Sequence, residues 1–129
     1  IASGGELSRI MLAIKSVLAE KDEIGTLIFD EIDTGVSGKS SQKIGLKLRG
    51  VAKHRQVLCV THSPQVASLA EHHMLIHKET ERGRTFTRVS ALDDNGRVQE
   101  VARIMGTDRV SDLVLNSARE MIEQGKNPC

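Results

Sequence analysis

Two short apolar runs, each ending in side chains that can do chemistry, constrain this chain more than any other feature. Thr26-Leu27-Ile28-Phe29 gives way at once to Asp30-Glu31-Ile32-Asp33, and Val57-Leu58-Cys59-Val60 gives way to Thr61-His62. Apolar runs of this length bounded by polar residues read as buried strands. Helical spacing fills the intervals between them, and strands alternating with helices predict an α/β fold, a mainly parallel sheet flanked by helices. In such sheets ligands bind beyond the carboxyl ends of the strands. If the two strands are neighbours, Asp30, Glu31, Thr61 and His62 meet in one crevice.

The helices follow from their own signals. Ser3-Gly4-Gly5-Glu6 has the spacing of a capping box, and Leu7, Met11, Ile14 and Leu18 recur behind it with helical period, which predicts one apolar face. A second helix is expected over 39–52 with Ile44, Leu48 and Val51 inward, and Pro64 opens a short one that runs to Leu69. Met74-Leu75-Ile76 reads as a third strand, and the alternating stretch Thr85-Phe86-Thr87-Arg88-Val89 as a fourth, suited to an edge. Asp94-Asn95-Gly96 reads as a turn, followed by helices over 98–105 and 111–124.

Adjacent carboxylates at a strand end can divide labour. Asp30 suits Mg²⁺, a hard cation that takes oxygen ligands and keeps several waters. Glu31, pointing the other way in an extended chain, suits orienting and deprotonating an attacking water. His62 suits contact with a terminal phosphate and its developing charge. The plainer reading is that Asp30 and His62 only cap loops; two strands in succession ending this way favour function. Ser3, Gly4, Gly5 and Glu6 admit two readings as well: a helix cap, or an anion site built from exposed amides, the helix dipole and a hydroxyl, with two glycines that let a phosphate come close.

Three attractive motifs fall away. Gly35-Val36-Ser37-Gly38-Lys39-Ser40 looks like the end of a phosphate-binding P-loop, but Asp33 stands where that pattern needs its first glycine. A nucleophile elbow would need glycine at Lys39. The five histidines include adjacent His72 and His73 and His54 near a helix end; with no Cys-x-x-Cys or His-Glu-x-x-His, they carry no zinc signature.

The 129 residues make at most one domain. The chain starts at Ile1 without an initiator Met and is read as a fragment. Phe29 and Phe86 are the only aromatic residues, so the core must be aliphatic and base stacking on aromatic platforms is nearly closed off. With a net charge of +1, Lys and Arg interspersed with Asp and Glu read as a mixed solvated surface. Cys59, inside an apolar run, and Cys129, the last residue, are poor disulfide candidates, which suits a reducing compartment. No apolar stretch is long enough to span a bilayer and no signal peptide is visible. A cytoplasmic location and no membrane partner are expected.

Taken in order, the motifs resemble those of ABC-type ATPase heads. Ser3-Gly4-Gly5-Glu6 is similar to the signature motif, Leu27–Glu31 to the Walker B strand, Asp33 with the following loop to the D-loop, and His62 to the switch histidine. The runs Phe29–Gly38 and Val60–Ala67 resemble the RecN family, bacterial relatives of the SMC proteins that act in double-strand-break repair. That resemblance implies that residues 1–129 are the C-terminal part of an ABC/SMC-type ATPase head, with the Walker A half lying far upstream across a coiled coil. It implies ATP with Mg²⁺, Asp30 as metal ligand, Glu31 and His62 as catalytic groups, and Ser3 to Glu6 and Asp33 as nucleotide-contacting residues. The implied partners are the Walker A half and coiled coil of the same protein, a second head paired through ATP, and DNA. The fragment alone is expected to hydrolyse no ATP, for lack of a Walker A loop. Two other classes stay open on the residues themselves: a metal-dependent hydrolase using Asp30, Glu31 and His62, and a non-catalytic interaction module.

Overall fold

A computed structural model describes residues 1–21, 23–106 and 109–127; Cys129 lies outside the described residues. The chain order is α1 (Gly4–Val17), β1 (Thr26–Asp30), α2 (Gly38–Ala52), β2 (Gln56–Val60), α3 (Pro64–Ala67), β3 (Met74–Glu81), β4 (Arg84–Ala91), α4 (Asp94–Ile104) and α5 (Asp112–Lys126). Strands β1 and β2 pair in parallel, from Thr26 opposite Gln56 to Asp30 opposite Val60.

One face of this pair is covered. Leu27 and Phe29 are buried with Leu12 of α1, Leu48 and Val51 of α2, Val66 of α3 and Ile32, and Val57 and Cys59 pack against them. Ile44, Leu48 and Val51 face inward as their period predicts. A second apolar cluster joins Ala67 to Val98, Val101, Ala102, Ala118 and Ile122 of α4 and α5. The core is aliphatic, with Phe29 its one aromatic among the described residues, while Phe86 is exposed.

The structure departs from the sequence reading in four places. First, β3 and β4 do not join β1 and β2. They form a separate antiparallel hairpin, Met74 opposite Ala91 through Glu81 opposite Arg84. Arg82 and Gly83 close it with φ of 48° and 76°, the two positive values that a type I′ turn needs to match strand twist. Second, Asp94, Asn95 and Gly96 are the first turn of α4, not a free turn, because Asp93 caps the helix and accepts from the Gly96 amide. Third, the face of α1 with Leu7, Met11, Ile14 and Leu18 points outward, each of these exposed, while Gly5 and Leu12 are buried. Fourth, Glu31 is not extended: its φ is 57°, so a left-handed residue and not strand alternation aims its side chain.

Candidate nucleotide site at the strand ends

Because β1 and β2 run parallel and end level, the segments 31–34 and 61–63 leave the sheet side by side. They are tied together. Thr61 Oγ1 donates to Asp33 Oδ2, and the Ser63 amide donates to Thr61 Oγ1 at 3.0 Å. Ile32, fully buried, pins the turn to the core. Asp30, Glu31 and His62 lie exposed around this tie, and Asp33 lies beneath it, 6% exposed, its Oδ1 without a partner among the described residues.

Helix α1 arrives at the same place by its N-terminus. Ser3 and Glu6 form the capping box, the Glu6 amide donating to Ser3 Oγ at 3.2 Å and the Ser3 amide to Glu6 Oε2 at 2.9 Å. This occupies the Ser3 hydroxyl and the Glu6 carboxylate with capping, and the first helical amides that follow have no partner inside the helix. Gly4 and Gly5 sit against Glu31 of the same chain. A Cβ on Gly4 would lie 3.0 Å from Glu31 Oε2, and one on Gly5 would lie 2.7 Å from the Glu31 carbonyl oxygen. At Gly5, where the neighbour is backbone, only glycine tolerates that approach.

Two residues that sequence reasoning missed hold this arrangement. Ser8 Oγ donates to the Asp30 carbonyl at 2.9 Å, and Arg9 donates to the carbonyls of Ile32 and Thr34, both at 3.1 Å. Their signal was present: Gly5, Arg9 and Leu12 share one helical face, four and three residues apart, and a stripe of small and polar residues can face a loop as an apolar stripe faces a core. Gln65 is a third. It accepts from Ser63 Oγ at 2.9 Å and its amide lies 3.1 Å from where a Gly38 Cβ would stand, joining the start of α2 to α3.

The left-handed backbone at Glu31 costs roughly 1–2 kcal/mol for a residue with a Cβ, and such outliers persist where the surroundings over-determine them. Here the α1 clamp does so. The field is negative: burial, then Asp33 and Asp30, push the Cys59 thiol up to about 12. Among the described residues no three His, Cys, Asp or Glu side chains gather as a preformed metal cluster. A single exposed carboxylate at Asp30, with Glu31 beside it, still suits Mg²⁺, which binds through one or two carboxylates together with substrate phosphates and waters.

Fold and site together define the class: an α/β chain with the fold of a solved SMC ATPase, whose two parallel strands end in exposed acidic side chains against the glycine-rich start of a helix. A solved SMC ATPase, from work on ATP-driven dimerization and DNA-stimulated activation of such enzymes, superposes with a TM-score of 0.57 over 84% of this chain and 65% of its own, at 18% identity. Nearly the whole chain is similar to one part of the RecN proteins. It is 48% identical over 124 residues to DNA repair protein RecN of Bacillus subtilis, 44% over 125 residues to that of Treponema pallidum and 43% over 122 residues to that of Vibrio cholerae. These matches take in 95–97% of this chain and 22% of each relative, so the chain spans about a fifth of their length. No protein-family model matches it. No helix among the described residues is long and apolar enough to cross a membrane.

Proposed function

We propose that this chain is the C-terminal part of the ATP-hydrolysing head of a RecN-like DNA repair protein, and that two such heads pair across ATP. The observation that carries the reading is the convergence of Asp30, Glu31 and His62 at the level ends of β1 and β2, under the glycine-rich start of α1. The relatives' name, DNA repair protein RecN, supports the biological role.

In this reading a water attacks the terminal phosphorus of ATP. Glu31 accepts the water's proton as the new P–O bond forms, and the bond to the bridging oxygen breaks to release ADP. The turn that fixes Glu31, clamped by Ser8 and Arg9, removes the freedom that would blunt a general base. His62, exposed beside it, hydrogen-bonds the terminal phosphate. Asp30 would hold Mg²⁺, which would supply charge neutralisation at the phosphates. Ser3 to Glu6 offer helix-terminal amides to the terminal phosphate of the nucleotide held by the partner head, and Asp33 keeps the intervening loop in register through Thr61. The Walker A half of the same protein supplies the remaining phosphate cradle. Its docking place on this lobe is the bare face of the sheet, where Ile28 is 70% and Leu58 45% exposed; apolar surface of this kind calls for cover.

The test is Glu31→Gln in the complete protein. Turnover falls by about 10²–10⁴-fold, the range for losing a general base, while ATP-dependent pairing of heads persists. Ordinary turnover in that variant removes Glu31 from the role. Ser3→Arg abolishes ATP-dependent pairing, and unchanged pairing rejects the seat assigned to the partner's phosphate.

A further inference from the structure

A groove of about 710 Å³ opens between the C-terminal turn of α1 and the outer side of α2. Lys21, Lys43, Lys47 and His54 border it against a single carboxylate, Glu20. Along α2 its lining runs from Lys43, the sixth residue of the helix, to His54 just past its end, a rise of roughly 16 Å at 1.5 Å per residue.

The charge on α2 is one-sided. The helix carries Lys39, Lys43, Lys47 and Arg49 and no acidic residue, in a chain whose net charge is only +1. Lys39, Lys43 and Lys47 are all exposed and four residues apart, so they form one stripe with steps of about 6 Å. Like charges at that spacing repel and weaken a helix. Three basic residues elsewhere are paired with carboxylates: Arg88 with Glu79 and Glu81, Arg103 with Glu100, Lys126 with Glu123. Among the described residues the three stripe lysines have no ion pair or hydrogen bond. A ladder of flexible point charges along an open groove, with no buried polar group to fix a single ion, suits a chain of phosphates, each lysine reaching its own.

We infer that the outer face of α2, with its groove, binds the backbone of duplex DNA through Lys43 and Lys47, extended by Lys39, without regard to base sequence. The inference rests on the DNA-repair reading above and adds to it the surface that meets DNA, a helix face that carries none of the residues assigned to the nucleotide. The experiment uses the complete protein, a fluorescent duplex and anisotropy titrations at salt concentrations between 50 and 200 mM. In Lys43→Gln/Lys47→Gln the slope of log K against log salt becomes shallower by about 1.8, at about 0.9 per lost phosphate contact. Over that range the wild type therefore loses roughly 12-fold more affinity than the variant. Lys43→Arg/Lys47→Arg restores the wild-type slope, and ATP turnover without DNA is unchanged in both, which reports intact folding. An unchanged slope in the glutamine pair, or an arginine pair that fails to restore it, overturns the assignment of the surface and leaves the repair reading standing. The same unchanged slope is the outcome if an acidic protein segment is what docks on this face. A wild type that binds no duplex overturns both.

Discussion

Replacing Gly5 by alanine sets two effects of known sign against each other. In a helix the exchange is favourable by up to about 1 kcal/mol, since alanine is the best helix former and glycine among the worst. At Gly5, however, the new methyl carbon would stand 2.7 Å from the Glu31 carbonyl oxygen and 3.2 Å from an Arg9 guanidinium nitrogen. Neither neighbour can swing aside. The carbonyl belongs to a left-handed residue and accepts the Thr34 amide at 3.1 Å, and the guanidinium is tied to the carbonyls of Ile32 and Thr34. The turn must retreat by several tenths of an ångström, and overpacking of this kind costs about 1–3 kcal/mol. Against the full propensity gain the net is a loss of up to roughly 2 kcal/mol in the closed turn, which corresponds to up to about 30-fold faster exchange at the Thr34 amide. Native-state hydrogen exchange on the complete protein reads this directly. Gly50→Ala is the control, because nothing lies within 4 Å of its Cβ position. There the propensity gain stands unopposed, and the His54 amide, bonded to the Val51 carbonyl at 3.2 Å, exchanges about 2–5-fold more slowly. Slower exchange at Thr34 in Gly5→Ala, matching the slowing at His54 in Gly50→Ala, would refute the close approach of α1 to the turn.

Two further expectations concern titration and caps. Cys59, pushed up to about 12 by burial and then by Asp33 and Asp30, stays a thiol at pH 8 and alkylates far more slowly than the same thiol in the unfolded chain; equal rates would contradict it. The folded state keeps this proton where the unfolded state releases it near pH 9, so stability is full below that value and drains away as pH climbs toward 12. Arg97, buried at 7% exposure, donates to the Ala70 carbonyl at 2.7 Å and the Ser68 carbonyl at 3.5 Å. Arg97→Met leaves these carbonyls at the end of α3 unmatched, at a cost of about 1–3 kcal/mol by denaturation. The His73 imidazole, held below its ordinary value by burial and then by Arg97, moves upward in the same variant. An NMR titration that finds it unmoved would rule out the Arg97 contribution.

Much of the architecture was legible in the residues. The capping box at Ser3 and Glu6, the inward set Ile44, Leu48 and Val51, and the parallel pairing that brings Asp30 and His62 to one end all follow from local spacing and the rule that ligands sit at strand ends. These signals are short-range: a cap joins residues three apart, and a strand end is marked by where the apolar run stops. The orientation of α1 was not legible in that way. Its period marks an apolar face, Leu7, Met11, Ile14 and Leu18, but period alone does not say whether this stretch of chain supplies the cover. The tertiary structure turns Gly5, Ser8, Arg9 and Leu12 inward instead, because a turn bristling with carbonyl oxygens at Asp30, Ile32 and Thr34 needs donors more than it needs methyl groups.

The hairpin and the turn at Glu31 divide the same way. The apolar run Met74–Ile76 and the alternation in Thr85–Val89 determined that strands form there, yet not which partner they take, since a strand edge carries the same donors and acceptors wherever it lies. Only the packed chain decided that β3 and β4 pair with each other, and that Glu31 leaves its strand left-handed. For the hairpin the two-residue turn at Arg82 and Gly83 makes that choice; at Glu31 it is made by contacts between residues more than twenty apart, Gly5 with Glu31 and Arg9 with Ile32, and no window of sequence short enough to read by period contains both sides of them.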